Sequence, residues 1–236
     1  MRIVIAGTQK SGNVWLKCVL ANVYDLRVLR NPEETPERPR LDAFQTWIGD
    51  GGFPDGTIFH HHFPYSPAMA DAIEAVPAKI VTIVRDPYDS FVSYYHSIQN
   101  RNQSGHRRDV MAEQPIDHPD VLHFLREGGY RRALRLAKGW AESGRSSVVR
   151  YEDLHRDPIG LIVSLRDALG GRPSAAADRA IQICRAENMQ SLDFVKPGHI
   201  RAAKVGDSRE RLSDEHLAIF RDKYADLIAA LGYEVR

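Results

Sequence analysis

The chain lacks the features that would place it in a special class. It has two cysteines in 236 residues, Cys18 and Cys184, which is too few for a disulfide framework and gives no metal-ligand spacing. Cys18 reads as a packing residue. Thirty-two basic side chains against 31 acidic ones leave a net charge of +1, which argues against the strongly basic surface of a general nucleic-acid binder. Any anion site must then be local. No stretch approaches the ~18 uninterrupted apolar residues of a membrane span. No basic region runs into an apolar core at the N-terminus, so no signal peptide is read and a cytoplasmic location is expected. Internal repeats and low-complexity segments are also missing. What remains, 43% hydrophobic and 27% charged residues, suits one large globular domain over residues 1–236.

The most informative stretch is the first, Arg2 to Leu26. Ile3-Val4-Ile5-Ala6 has the length of a buried parallel strand. Gly7-Thr8-Gln9-Lys10-Ser11-Gly12 is a glycine-bracketed turn. Leu16, Val19, Leu20 and Val23 then recur at helical spacing. A loop of this kind aims several backbone N–H groups into one hollow at a helix N-terminus, which suits a phosphate. An ATPase loop needs lysine directly after the second glycine, and then a hydroxyl for magnesium. Here Asn13-Val14-Trp15 follows Gly12, and Lys10 precedes it. An ordinary strand–turn–helix connection is the plain alternative.

Further along, apolar periodicity fades between Arg27 and Gly56, and the proline-rich part from Asn31 to Arg40 reads as a surface excursion. Thr57 to His62 is a second strand, and Ser66-Pro67 caps a short helix running to about Val76. Lys79 to Val84 is a buried strand ending in Arg85-Asp86-Pro87, followed by a helix with Phe91, Tyr94, Tyr95 and Ile98 on one stripe. Residues 101–119 read as a mobile loop. Helix is expected from Val121 to about Ser143 with a break at Gly128-Gly129, then a strand over Ser147–Arg150. More helices are expected from Asp157 to Gly170, from Ala175 to Ala186 and from Ser213 to Leu231. Strands alternating with helices give an α/β domain with a central parallel sheet.

In such sheets ligands bind beyond the carboxyl ends of the strands. The Lys10 loop, His60-His61-His62, the Arg85 segment and Tyr151 all fall at that edge. Arg85 carries a planar fork that matches phosphate oxygens, though it could instead pair with Asp86 or Asp89. On a strand, His60 and His62 share a face and His61 points away. No carboxylate or cysteine accompanies the three histidines at ligand spacing, so no metal site is read there.

Lys10-Ser-Gly-x-x-Trp15-Leu resembles the 5′-phosphosulfate loop of sulfotransferases that use 3′-phosphoadenosine 5′-phosphosulfate (PAPS). Arg85-Asp-Pro-x-Asp-x-x-Val-Ser93-x-Tyr-His96 resembles their 3′-phosphate segment. Tyr151-Glu-Asp-Leu154 and Arg201-Ala-Ala-Lys204-Val-Gly-Asp207 resemble two later segments. In the last of these the family's Lys-Gly pair is Ala202-Ala203, and Ser208 stands for its tryptophan. His62-Phe63-Pro64 resembles the family's His-x-Pro. The resemblance runs from Gln9 to Gly232. It implies a P-loop-like sulfotransferase fold with PAPS as co-substrate and no metal. It also implies nucleotide contacts from Lys10, Ser11, Gly12, Asn13, Val14, Trp15, Arg85, Ser93, Tyr151 and Arg201, and catalysis by His62 and Lys10. The acceptor would be a small-molecule, natural-product or carbohydrate hydroxyl, shaped by residues 27–56 and 101–119. The loop's Gly-Asn-x-Trp form is similar to bacterial sulfotransferases acting on natural products. No nucleic-acid or membrane partner is expected, and a homodimer is left open. A P-loop kinase using ATP and magnesium, or a non-catalytic nucleotide-binding module, is the alternative.

Overall fold

The computed structural model describes residues 1–30, 40–99, 111, 114–170, 173, 175–189, 191–195 and 204–236. Five strands form one parallel sheet: β1 (Arg2–Ala6), β2 (Arg27–Val28), β3 (Thr57–His61), β4 (Ala78–Val84) and β5 (Ser147–Arg150), in the order β2-β3-β1-β4-β5. Register places Ala6 opposite His61 and Val84 opposite Arg150. The residues that follow β1, β3, β4 and β5 therefore emerge along one edge.

Alternation along β1 divides the core. Ile3 and Ile5 face a cluster built with α1 (Asn13–Tyr24), α8 (Pro158–Leu169) and α9 (Ala177–Ile183). Val4 and Ala6 face the other side, against Phe44 of α2 (Leu41–Gly49), Met69 of α3 (Pro67–Glu74) and Trp140 of α6 (Arg131–Glu142). A third cluster joins α4 (Pro87–Gln99), α5 (Pro119–Arg126), α6 and α12 (Asp214–Ala230). The chain thus leaves β1 toward one face and β4 toward the other. Between those adjacent strands lies the crevice where open α/β sheets bind ligands. Short helices α7 (Tyr151–Arg156), α10 (Ala186–Met189) and α11 (Ser208–Arg211) complete the description.

Local signals explain most boundaries. The Ser66 hydroxyl accepts from the Met69 N–H with Pro67 in the first turn, and Asp157 accepts from the Gly160 N–H ahead of α8. The break between α5 and α6 falls at Gly128-Gly129 as expected, with Gly128 at φ 71°.

The structure corrects several expectations. Residues 41–49 form a helix, and a two-residue strand precedes it. Leu41, Phe44, Trp47 and Ile48 recur at helical spacing there, with Phe44 buried and the other three packed partly buried against the same cluster. The second strand stops at His61, so His62 is the first residue beyond it. The helix expected over 175–186 is two short helices with Cys184 and Arg185 between them. Most plainly, Cys18 and Cys184 form a disulfide. Residue 184 follows the end of α9, which packs on α1, and both sulfurs lie in the same buried cluster. A contact across 166 residues leaves no trace in local spacing. Most of the 101–119 segment and Arg201 lie outside the described residues.

Candidate active site

The loop after β1 is shaped by its own side chains. Ser11 Oγ and Asn13 Nδ2 both donate to the Thr8 carbonyl, at 2.8 and 2.6 Å. Lys10 and Gly12 take left-handed backbone, with φ 66° and 101°. At Gly12 a Cβ would meet the Tyr151 ring at 2.5 Å, so both conformation and space require glycine. Val14 is buried in the core, which leaves its backbone alone to face a ligand. Trp15 is partly buried, with its ring edge-on to Tyr151 at 5.8 Å and to His155 at 4.8 Å.

Arg85 enters from the end of β4. Its guanidinium lies over the Tyr151 ring at 4.2 Å. Nη1 donates to the Lys10 carbonyl at 3.2 Å and Nη2 to the Lys204 carbonyl at 2.9 Å. The alternative pairing of Arg85 with Asp86 or Asp89 is not what forms. Asp86 accepts from the Tyr88 and Asp89 N–H groups and from Arg236. Arg85 Nε is buried without a hydrogen-bond partner among the described residues. An orphaned donor on a cation beside a loop of N–H groups fits an anionic ligand. Ser93 is half-buried on α4, two turns further on.

His62 sits across the crevice. Its Nδ1 lies 2.7 Å from the Gly7 carbonyl. A carbonyl only accepts, so Nδ1 carries a proton, and in the neutral form of the ring the lone pair is on Nε2. The next residue holds it in place: Phe63 is fully buried, and its carbonyl accepts from Trp140 Nε1 at 2.7 Å. His60 and His62 share a face with ring centroids 5.9 Å apart, while His61 stacks on Phe63 at 4.2 Å. The period-two expectation for these histidines therefore holds.

Three further residues take roles that the sequence did not assign to them, Asp89 having stood only as a possible partner of Arg85 and Glu152 only as part of the Tyr151 segment. His155 lies 3.1 Å from the Tyr151 hydroxyl and edge-on to both Tyr151 and Trp15. Its place four residues after Tyr151, on one helix face, was the available signal. Glu152 takes the Asp86 N–H at 2.9 Å and the Tyr233 hydroxyl at 2.8 Å, and so braces the Arg85 turn. Asp89 accepts from two N–H groups of the 204–208 segment. Burial pushes the Tyr151 phenol above its usual range, so it stays a neutral hydroxyl.

The sulfotransferase domain pattern matches residues 53–232. The chain belongs to the sulfotransferase family. Cytosolic sulfotransferase 3 of Arabidopsis thaliana is 23% identical over 230 residues, covering 90% of this chain and 72% of that protein. Cytosolic sulfotransferase 17 of the same plant is 24% identical over 255 residues, covering 89% and 69%. Among solved structures, the mouse sulfotransferase SULT7A1 complexed with PAP superposes with a TM-score of 0.71 at 15% identity, covering 97% of this chain and 84% of that one. A retinol dehydratase in complex with androsterone and inactive cofactor PAP gives 0.59 at 18%, covering 96% and 80%. These structural likenesses are of fold. Among the described residues no helix is long and apolar enough to cross a membrane.

Proposed function

We propose that this sulfotransferase moves a sulfuryl group from PAPS to a hydroxyl of a small-molecule acceptor, with His62 as general base. The observation that carries the proposal is the hydrogen bond between His62 and the Gly7 carbonyl. It ties the base to the loop that would hold the 5′-phosphosulfate, and it leaves Nε2 as the proton acceptor. The acceptor oxygen attacks sulfur as Nε2 takes its proton. The bond between sulfur and the bridging oxygen breaks. Lys10 and the N–H groups of residues 11–15 stabilise the charge left on the bisphosphate. Trp15, Tyr151 and His155 offer ring surfaces for the adenine. Arg85, with its orphaned Nε, and Ser93 and Arg201 are assigned to the 3′-phosphate. No hydroxyl follows Gly12 to hold magnesium, so transfer should survive EDTA.

The similar proteins support the acceptor class. One relative is a flavonol 4′-sulfotransferase of Flaveria chlorifolia, 25% identical over 175 residues, covering 65% of this chain and 53% of that protein. The plant relatives named cytosolic support the cytoplasmic reading. The test is thermal stabilisation by adenosine 3′,5′-bisphosphate, AMP and ATP. A ligand at 100 times its Kd adds about 2.7 kcal/mol to the native state. The bisphosphate should raise the melting temperature most. Equal shifts for AMP and the bisphosphate would overturn the 3′-phosphate assignment.

A further inference from the structure

Asp89 is a carboxylate in the first turn of α4 and is 2% exposed. Burying a charged carboxylate costs several kcal/mol unless its oxygens are satisfied. Both are satisfied, and by one distant segment. Oδ2 accepts from the Gly206 N–H at 2.6 Å and Oδ1 from the Ser208 N–H at 2.9 Å. Gly206 has φ 84°, so the segment turns there in a conformation that glycine permits and that aims its N–H groups back at α4. Two residues earlier the same segment presents the Lys204 carbonyl, which takes the Arg85 Nη2 hydrogen at 2.9 Å. The opposite arm of the guanidinium is held by the Lys10 carbonyl at 3.2 Å. The plane of Arg85 is therefore set by two carbonyls, and one of them is itself fixed by Asp89. Arg85 Nε, the donor with no partner among the described residues, is aimed by this arrangement.

We propose that Asp89 is a positioning residue for recognition of the nucleotide's 3′-phosphate. It acts through residues 204–208 and the Lys204 carbonyl on the orientation of Arg85, and touches no substrate itself. The proposal rests on the reading that Arg85 receives that phosphate. Loss of the carboxylate frees the Lys204 carbonyl and lets the guanidinium rotate. Contacts to the 5′ end, made by the loop after β1, keep their geometry. Asp89→Asn replaces one acceptor oxygen with an NH2 group that faces a backbone N–H, so one of the two bonds is lost and a donor–donor clash replaces it.

The experiment is calorimetric titration of wild type and Asp89→Asn with adenosine 3′,5′-bisphosphate and with AMP, alongside melting temperatures and donor KM and kcat. Expected is a fall of roughly tenfold in the preference for the bisphosphate over AMP, the factor that one charge-assisted hydrogen bond carries. AMP affinity and kcat at saturating donor should stay within about twofold, with donor KM rising in step with the bisphosphate Kd. A merely structural Asp89 would lower the melting temperature and leave the preference unchanged, and that result overturns the proposal. If Asp89→Asn does not fold, Gly206→Ala carries the test, because it strains the same segment from its exposed side with no atom within 4 Å of the added Cβ. It too should lower the preference, and an unchanged preference would overturn the proposal. A wild type that does not prefer the bisphosphate would instead sink the reading of Arg85, independently of Asp89.

Discussion

At the nucleotide end of the crevice, Arg85 reaches Lys10 and Lys204, and Asp89 reaches Gly206 and Ser208, bridging segments 75 to 119 residues apart. At the acceptor end the links are rings and two carbonyls. His61 stacks on Phe63, Phe63 packs edge-on to Phe44 and Phe59, Trp140 donates to the Phe63 carbonyl, and His62 is tied to Gly7. Hydrogen bonds to backbone groups fix direction, as recognition of a charged group of constant shape requires. Aromatic packing fixes position and tolerates change in its neighbours. On the proposed reading, one end would hold the invariant donor, and the other would present His62 beside segments free to vary.

The sharpest way to break this comparison is at His62. His62→Ala should lose roughly 10²–10⁴-fold in transfer, the usual range for a positioned general base, with bisphosphate affinity nearly unchanged. The measurements are turnover with a found acceptor and calorimetric affinity. A fall in affinity that matches the fall in turnover would merge the two ends. His61→Ala should show the reverse pattern, with lower thermal stability and turnover close to wild type, because its ring packs on Phe63. His60 shares the face of His62, and its loss should cost less turnover than that of His62.

The next effect tests what the nucleotide end stands on. The disulfide joins α1, which opens at the phosphate loop, to the residue following α9. Closing a 166-residue separation restricts the unfolded chain, by about 5 kcal/mol on the chain-entropy relation. Reduction, or Cys18→Ser with Cys184→Ser, should therefore lower the denaturant midpoint clearly. If α1 is the foundation of one end only, bisphosphate affinity should fall while the pH profile of turnover at saturating donor is kept. A reduced protein with an unchanged midpoint would show that the bridge adds nothing to stability.

Much of this architecture was written in local patterns. β1 and β4 are apolar runs ending in turn residues, and the faces of β1 follow period two. The 3.6-residue stripe of α1 was visible, but it understated the burial. Leu16, Val19, Leu20 and Val23 face inward, and Asn13, Lys17 and Cys18 are buried as well, because α1 lies between the sheet and α9. Helical periodicity shows one buried face, and the second appears only when another element covers it. The α2 helix escaped notice although Leu41, Phe44, Trp47 and Ile48 carry its inner face, because it is only nine residues long and follows a proline-rich stretch. The residues proposed to meet the nucleotide and the acceptor carry recognisable types and spacings. Asp89 and Glu152 fall inside the family-like segments at Arg85 and Tyr151, but they act on backbone groups more than 60 residues away, and local spacing does not name those partners.

The smallest expected effect concerns Lys17, on the buried side of α1. It is 3% exposed, and its ammonium lies over the Phe194 ring at 5.2 Å. Desolvation lowers its pKa from 10.5 to about 8. The ring attracts the charged form and offsets part of that cost without reversing it. Between about pH 8 and 10.5 the unfolded chain binds more protons than the native one, so stability rises with pH across that window. Below pH 8 both states are protonated and the whole cost remains, about 3 kcal/mol for a shift of this size. Lys17→Met keeps the length of the side chain and removes the charge. The variant should be more stable at pH 7, and its advantage should shrink steadily toward pH 10.5. Denaturant midpoints at half-unit pH steps give the two curves. Parallel curves would show that Lys17 reaches water, and that the face of α1 beneath the phosphate loop is wetter than the packing of α1 against Phe194 implies. If the curves converge as expected while His62→Ala keeps the wild-type dependence on pH in this window, the charge cost belongs to Lys17 and not to the acceptor end.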